Sequence, residues 1–416
     1  MKWRRVIESI LISALTLVQV LVCQIAYRRR SFARGDATAD AAPILVIRCE
    51  AKIGDNLLNI PFLRVLRAAH PGREIHLLHH RAARDIYADC PYVDERVEIT
   101  WPMSSPVTLL HRMSLCAGVF RGLAKRTRYG LAIMPRWDED LYAPFLAWMS
   151  GAQRVVGFSR RVLPEKAWRN LGTDLLLSDA IQDTVIRHES VRSLQLIEGI
   201  PQGGLTPSAE LEFWFSEEDR RTVMSLTDTA DAGDVTWVAL APGAAVDRRK
   251  WPIGNFAAVV KALGQRPDVR LLLLGSSAEA ADCEILLRAT LPGTSLNLAG
   301  RLSLAQTAAA LQTCRLFIGN DSGLLHLACA VRTPVIEISC HPKRAPDLHA
   351  NSPARFGPTV EHSIVLRPDQ PLSYVCRDGC TFDDAHCIAT VTVASVVQAV
   401  ASLLDAEDQP CAKCSG

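Results

Sequence analysis

Short apolar runs alternate with longer amphipathic stretches along most of the chain, and this pattern predicts an α/β protein. Each apolar run has the length and composition typical of a buried strand. The predicted strands are 44–48, 74–80, 130–134, 154–158, 235–243, 269–276, 315–320 and 334–339. Because strands that alternate with helices favour parallel pairing, we predict parallel, doubly wound sheets.

The stretches between these runs repeat apolar residues at helical spacing. The predicted helices are 55–70, 253–263, 279–291, 304–311, 323–331 and 391–404. A change in composition near 199–236 separates two similar halves. We therefore predict two Rossmann-like domains, at 43–215 and 216–405, that face each other across a ligand-binding cleft, and a tail at 406–416.

Residues 6–27 form an apolar run that is long enough to cross a bilayer as a helix, with Glu8 as its one charged residue. Lys2, Arg4 and Arg5 precede the run, and Arg28, Arg29, Arg30 and Arg34 follow it. The larger basic excess at the C-terminal side favours a cytoplasmic body. We predict a hydrophobic anchor helix and a linker over 1–42.

Two alternatives to a spanning anchor remain open for this segment. Ser9, Ser13, Thr16 and Gln19 recur at helical spacing and form a thin polar stripe, which is compatible with a helix lying in the plane of the membrane surface. A targeting segment that is removed is the third possibility, although the three arginines after the run are unusual for a signal peptide.

The composition narrows the possible functions. The chain has 416 residues, of which 49% are apolar and 22% charged, an ordinary globular balance that excludes extensive disorder. A net charge of +2 gives no bulk attraction to nucleic acid. Cys376, Cys380 and Cys387 invite the hypothesis of a structural zinc ion. Their spacing is loose for a zinc knuckle, so free thiols are favoured.

Three junctions between a strand and a helix carry candidate chemistry. At the first, Asp55 follows a strand and Gly54, where it could cap the helix or act as a general base. At the second, Lys250 lies near a helix N-terminus, where an ammonium group suits a diphosphate, although a solvated basic loop is the simpler interpretation. At the third, residues 319–323 read GNDSG before a helix, which suits an anion.

These three junctions, in this order, resemble those of glycosyltransferase family 9, the lipopolysaccharide heptosyltransferase family. The similar segments are IGDNLLNIPFLRVLRAAHP, APGA followed by RKWPIGNFAAVVKAL, and GNDSGLLHLACAVRTPVIEIS, and the resemblance covers most of residues 43–405. It implies a GT-B fold and transfer of heptose from ADP-heptose to a lipopolysaccharide core sugar, with inversion and without an obligatory metal.

The resemblance also assigns roles to residues. Asp55 takes the place of the catalytic base, which would deprotonate the acceptor hydroxyl. Lys250 takes the place of the lysine that binds the donor phosphates, and Glu279 that of a residue that binds the donor ribose.

In the third segment, Asp321 would contact the donor sugar, and the amides of Ser322 and Gly323 would bind the diphosphate. His326 would support that loop, although a buried core histidine is an equally good interpretation. The chain departs from the family after strand 334–339, where it lacks a Phe-Gly-x-Thr type loop. His341 or Lys343 could replace the contacts of that loop.

The implied acceptor is a lipid-linked saccharide at the cytoplasmic face of the bacterial inner membrane. Lys52, Arg81 and Arg136 are the candidate basic residues for its anionic groups. Two alternatives to this function remain open: another nucleotide-sugar enzyme on the same fold, such as an epimerase, and a non-catalytic protein that binds a nucleotide sugar.

Overall fold

The computed structural model describes residues 13, 14, 16–21, 23, 41–100, 128–197, 209–227, 235–373 and 384–405. The chain forms two compact units. Unit 1 comprises Met1–Lys52, Asn59–Val185 and Ser190–Ser208, and unit 2 comprises Ile53–Leu58, Ile186–Glu189 and Ala209–Gly416. The short segment Ile53–Leu58, which contains Asp55, therefore belongs to unit 2.

Unit 1 is built on a six-stranded parallel sheet with the order β3-β2-β1-β4-β5-β6. The strands are β1 (Ile44–Arg48), β2 (Ile75–His80), β3 (Glu95–Ile99), β4 (Leu131–Met134), β5 (Arg154–Phe158) and β6 (Asp179–Ile181). The strand order reverses between β1 and β4, as in a Rossmann fold. In the register of the central strands, Val46 lies opposite Leu77 on one side and Ile133 on the other.

The predicted helix 55–70 is two helices, α1 (Ile53–Leu57) and α2 (Ile60–Ala69). Pro61 causes the break, because proline lacks an N–H and its ring clashes with the preceding turn, so it is tolerated only near a helix start. Since α1 begins at Ile53, Asp55 lies inside its first turn. The cap interpretation of Asp55 is therefore wrong.

The other helices of this half are shorter than α2. They are α3 (Arg84–Tyr87), α4 (Ala143–Met149), α5 (Pro164–Arg169) and α6 (Glu189–Arg192). Helix α4 packs its apolar face on β1 and β4, where Leu146 and Ala147 join the core formed by Leu45 and Ala132. Each fully buried Leu side chain in such a core contributes roughly 1.5–3 kcal/mol.

Unit 2 repeats the same topology, with the sheet order β12-β11-β10-β7-β8-β9. Its strands are β7 (Thr236–Ala241), β8 (Val269–Leu273), β9 (Ser295–Asn297), β10 (Leu316–Asn320), β11 (Val335–Ile338) and β12 (Ser363–Leu366). Its helices are α7 (Glu217–Thr227), α8 (Ile253–Leu263), α9 (Ala280–Arg288), α10 (Leu304–Thr313), α11 (Gly323–Ala330), α12 (Pro353–Phe356) and α13 (Val393–Leu404). The strand order reverses between β7 and β10. The predicted fold class, two Rossmann-like units with parallel sheets, is confirmed.

The residues described within 13–23 are helical and belong to unit 1. Val20 and Cys23 pack there against Phe145 and Leu176. Within the described part of the chain, no helix combines the length and the apolar character needed to cross a membrane. Most of the predicted anchor, 6–27, lies outside the described residues.

Candidate active site

The carboxyl ends of β7, β8 and β10 surround a cavity of about 300 Å³ within unit 2. This is the edge of the sheet where the strand order reverses, and open α/β sheets bind their ligands there. The cavity is lined by Ile53, Ala241, Gly243, Ala244, Ala245, Leu274, Gly275, Ser276, Glu279, Leu302, Leu304, Thr307, Ser322, Gly323 and Leu324. Three residues that the resemblance implicated, Glu279, Ser322 and Gly323, therefore line one cavity.

One wall of the cavity is formed by Glu279. A β carbon on Gly243 would lie 2.7 Å from Cγ of Glu279, and one on Gly275 would lie 2.9 Å from its Cβ. The two glycines therefore make room for this side chain. Its Oε2 accepts hydrogen bonds from the backbone N–H and the hydroxyl of Ser276, at 2.8 and 2.6 Å. The two hydrogen bonds from Ser276, just before α9, thus fix the direction of the carboxylate at the cavity wall.

Asn320 connects the end of β10 to the loop that follows β7. It is fully buried. Its Oδ1 accepts a hydrogen bond from the backbone N–H of Trp251 at 3.1 Å, and its Nδ2 donates to the carbonyl of Pro242 at 2.7 Å. Sequence reasoning missed this residue. The available signal was an amide side chain at the end of an apolar strand.

Arg249, and not Lys250, contacts Asp321. Arg249 Nη1 lies 3.0 Å from Asp321 Oδ2, and its Nη2 donates to Asn351 Oδ1 at 2.7 Å. Lys250 instead forms an ion pair with Asp247 at 2.8 Å, and this hydrogen bond raises the pKa of the ammonium group. Lys250 is the residue that the resemblance implied, yet the basic run DRRK contains both Arg249 and Lys250.

A second acidic residue lies close to Asp321. Glu337, on β11, is almost completely buried. Burial, with the negative charge of Asp321 as a second cause, raises the pKa of Glu337 to about 8. The carboxyl group is therefore mostly protonated at pH 7, which leaves Asp321 as the anionic partner of Arg249. The sequence signal was the lone charged residue in the apolar run 334–339.

Helix α1 packs against α11, and this contact brings Asp55 to His326. His326 is buried, and burial lowers its pKa to about 4, although the charges of Asp321 and Asp55 oppose this shift. The imidazole is therefore neutral at pH 7. Asp55 is half-buried in the first turn of α1. A half-buried carboxylate beside a neutral imidazole is a suitable general base.

The start of α11 is suited to an anion. Ser322 precedes the helix, and its hydroxyl is buried with no hydrogen-bond partner within the described structure. Gly323 is the first helical residue, and a β carbon there would lie 2.9 Å from Cβ of Ile53. Because the first amides of a helix have no partner within the helix, they can bind phosphate oxygens.

The structure places the predicted acceptor-side residues in unit 1. Lys52, Arg81 and Arg136 each follow the carboxyl end of a strand, β1, β2 and β4, so they share one edge of that sheet. Arg136 forms ion pairs with Glu50 and, at 2.7 Å, with Asp138. Burial alone would raise the pKa of Glu50, but Arg136 and Arg48 outweigh it and hold that pKa below its usual value.

The candidate replacements in the loop after β11 do not line the cavity. His341 is fully buried and stacks on His349 with 5.5 Å between the ring centroids. Lys343 forms an exposed ion pair with Asp369 at 2.7 Å. These contacts give both side chains structural partners within the loop region.

Cys376 and Cys380, considered as zinc ligands but expected to be free thiols, lie outside the described residues. Cys387 is buried, with its Sγ 3.4 Å from Nδ1 of His386. Over the ranges that the structure describes, no group of three or more His, Cys, Asp or Glu side chains is arranged to hold a metal ion.

The chain is similar to known proteins over most of its length. Residues 123–351 match the family profile described as glycosyltransferase family 9 (heptosyltransferase). Lipopolysaccharide heptosyltransferase 2 of Salmonella typhimurium is 25% identical over 372 residues, which is 85% of this chain and 97% of that protein. Lipopolysaccharide heptosyltransferase 2 of Escherichia coli K12 is 24% identical over 69% of this chain and 79% of that protein.

Solved structures share the fold. A glycosyl transferase family 9 protein from Veillonella parvula superposes with a TM-score of 0.71 at 19% identity, covering 89% of this chain and 99% of that chain. E. coli ADP-heptose lipopolysaccharide heptosyltransferase II superposes with a TM-score of 0.66 at 20% identity, covering 88% of this chain and 100% of that chain. The architecture therefore matches solved structures over nearly their full length.

Proposed function

Because this chain belongs to glycosyltransferase family 9 (heptosyltransferase), we propose that it transfers heptose from ADP-heptose to a lipopolysaccharide core sugar. The observation that carries this proposal is the packing of α1 on α11, which joins Asp55 to the unit that holds the cavity. The names of the curated relatives support the choice of donor and acceptor.

In the proposed reaction, the amides at the start of α11 bind the diphosphate of the donor. Arg249 and Lys250, on the loop before α8, supply positive charge for the leaving nucleotide diphosphate. Asp55 accepts the proton of the acceptor hydroxyl. At the same time the acceptor oxygen attacks the anomeric carbon from the face opposite the leaving group. The new glycosidic bond forms with inversion as the bond to the phosphate oxygen breaks, and the reaction requires no metal.

The proposed acceptor is a lipid-linked saccharide at the cytoplasmic face of the bacterial inner membrane. Lys52, Arg81 and Arg136, on one edge of the sheet of unit 1, are proposed to bind its anionic groups. The basic residues on both sides of the apolar run 6–27 support a location at an anionic membrane surface.

The test is transfer from ADP-heptose to a heptose-deficient lipopolysaccharide core, compared for Asp55→Asn and the unaltered chain. We expect the variant to lose transfer while calorimetry shows unchanged donor binding. Asp85→Asn is the matched control, because Asp85 is an exposed acid in the first turn of α3. Unchanged turnover of Asp55→Asn would contradict the assignment of the base.

The same binding measurement separates the alternative functions. Preference for a UDP- or GDP-sugar over the ADP-sugar would replace heptose as the donor sugar. A sugar nucleotide product that forms without any acceptor would indicate an epimerase. Donor binding without turnover on any acceptor, unaffected by Asp55→Asn, would indicate a non-catalytic binding protein.

A further inference from the structure

The helix within residues 13–23 turns its polar side toward the protein. The Ser13 hydroxyl donates to the carbonyl of Trp168 at 2.9 Å, and the Thr16 hydroxyl donates to the carbonyl of Arg169 at 3.2 Å. Gln19 is buried on the same side. These two hydrogen bonds join the helix to carbonyls in the last turn of α5. Of the polar stripe, Ser13, Thr16 and Gln19 therefore do not face solvent.

The opposite side of this helix is apolar and exposed. Val18 is 57% exposed, and Leu17 and Leu21 are also open to solvent. Trp168, 69% exposed, and Leu175 continue this surface on unit 1. The helix contacts this part of unit 1 directly, because the Ser13 hydroxyl donates to the Trp168 carbonyl and Leu17 lies beside Gly172. We call Leu17, Val18, Leu21, Trp168 and Leu175 the apolar patch. Contiguous exposed apolar residues mark an interaction surface.

We propose that the apolar patch docks unit 1 on an anionic lipid surface, with the helix lying in the plane of the membrane rather than crossing it. The charges beside the helix in the sequence favour lipid as the occupant. Lys2, Arg4 and Arg5 precede it, and Arg28, Arg29 and Arg30 follow it. Basic residues next to an apolar helix face are typical of a helix that binds the interface of anionic membranes.

The exposed indole also supports a lipid partner. Tryptophan is enriched at the depth of the lipid headgroups, where its ring contacts acyl chains and its N–H contacts water. Trp168 belongs to α5 and not to the N-terminal helix, so two separate segments present the same apolar surface. The docking does not depend on the proposed transfer reaction, although it would hold the acceptor-side residues of unit 1 near a lipid-linked substrate.

The experiment is sedimentation of the full chain with sucrose-loaded vesicles of phosphatidylcholine, with and without phosphatidylglycerol. We expect binding to the anionic vesicles that weakens as salt is raised. The double variant Val18→Asp, Leu21→Asp should lower the partition coefficient by at least about tenfold, because each side chain loses its burial in lipid. Trp168→Ser should lower it by a smaller factor. Leu291→Asp, which alters an exposed leucine of unit 2, is the control and should bind normally.

Other outcomes overturn the proposal. Equal sedimentation of the double variant and the unaltered chain, with equal thermal stability, would exclude the patch as the lipid contact. Resistance to alkaline carbonate extraction would indicate a spanning helix. A dimer in solution that the double variant dissociates would assign the patch to a second copy of the chain. Transfer to a delipidated acceptor should be the same for the double variant and the unaltered chain. Absence of transfer by the unaltered chain, with normal vesicle binding, would contradict the proposed function and leave the docking intact.

Discussion

Gly54 and His326 fit together only because residue 54 has no side chain. A β carbon on Gly54 would lie 2.5 Å from Cδ2 of His326, a distance that side-chain carbons do not adopt. The buried imidazole therefore packs directly against the first turn of α1, which contains Asp55. The position of the proposed base depends on a contact between segments that lie far apart in the sequence.

This contact predicts the effect of Gly54→Ala. The added methyl group must displace α1 or His326, which costs roughly 1–3 kcal/mol in a packed core. We expect a loss of transfer activity of at least about tenfold, because a displacement of about 1 Å at a catalytic group has effects of this size. The measurement is the transfer rate at saturating donor. The calorimetric affinity for the donor should change much less.

Gly254→Ala is the matched control. Gly254 is also the second residue of a helix, α8, and a β carbon there would meet nothing within 4 Å. Gly254→Ala should leave activity unchanged and should not lower stability, because alanine replaces a helical glycine without a clash. Gly54→Ala combined with His326→Ala should cost less stability than the sum of the two single changes, since the smaller side chain leaves room for the methyl group. Equal activity of Gly54→Ala and the unaltered chain would show that α1 does not need this contact.

The sequence pattern predicted the interior of both sheets and missed their edges. All eight interior strands were predicted, because strands covered on both faces form continuous apolar runs. The four missed strands, β3, β6, β9 and β12, are the outermost strands, and their residues are mostly half-buried or exposed. An edge strand needs less apolar surface, so its pattern resembles that of a loop.

The candidate site was predicted in part for a related reason. Glu279, Ser322 and Gly323 lie where strands end and helices begin, and such junctions can be recognised in a sequence. Arg249 and Glu337 could not be assigned in this way. Both residues act through Asp321, which lies on another segment of the chain. The sequence also does not distinguish Arg249 from the adjacent Lys250, because that choice depends on side-chain direction.

The Arg249–Asp321 ion pair predicts different effects for two adjacent cations. Arg249→Ala leaves Asp321 buried without its cation, a change that costs roughly 3–5 kcal/mol for fully buried pairs and less here, where Arg249 is partly exposed. We expect donor affinity to fall at least about tenfold. Lys250 is more exposed than Arg249 and is already paired with Asp247, so Lys250→Ala should lower donor affinity only about fivefold or less. Calorimetry with ADP measures both.

The same two variants also test the opposite assignment, in which Lys250 binds the donor phosphates. If Lys250→Ala abolishes ADP binding while Arg249→Ala retains it, Lys250 leaves Asp247 to bind the phosphates and the Arg249–Asp321 pair has only a structural role. Urea unfolding of both variants separates loss of affinity from loss of the folded unit.

Asn320 offers a test of the connection between β10 and the loop after β7. Asn320→Leu is close in volume but leaves the Trp251 N–H and the Pro242 carbonyl without their partner. Each unsatisfied buried group costs roughly 1–3 kcal/mol. We therefore expect a clearly lower urea midpoint and weaker ADP binding, since the loop carries Arg249. Asn297→Leu, which removes the one hydrogen bond that Asn297 Oδ1 accepts from the Ala299 N–H, should have a much smaller effect. Equal midpoints for the two variants would contradict this role.

Glu337 predicts how stability changes with pH. Its pKa in the folded protein is about 8, against an ordinary value of 4.5, so the folded state binds the proton more tightly than the unfolded state. The stabilisation is complete below pH 4.5 and is lost as the pH rises through 8. Glu337→Gln keeps the shape of the protonated carboxyl group but cannot ionise. The variant therefore keeps this stabilisation as the pH rises. Its urea midpoint should therefore exceed that of the unaltered chain at pH 8–9, by roughly 1–3 kcal/mol in unfolding free energy. Glu361→Gln, at an exposed position of the same unit, should follow the unaltered chain. Parallel pH profiles for the Glu337→Gln variant and the unaltered chain would mean that Glu337 is ionised in the folded protein.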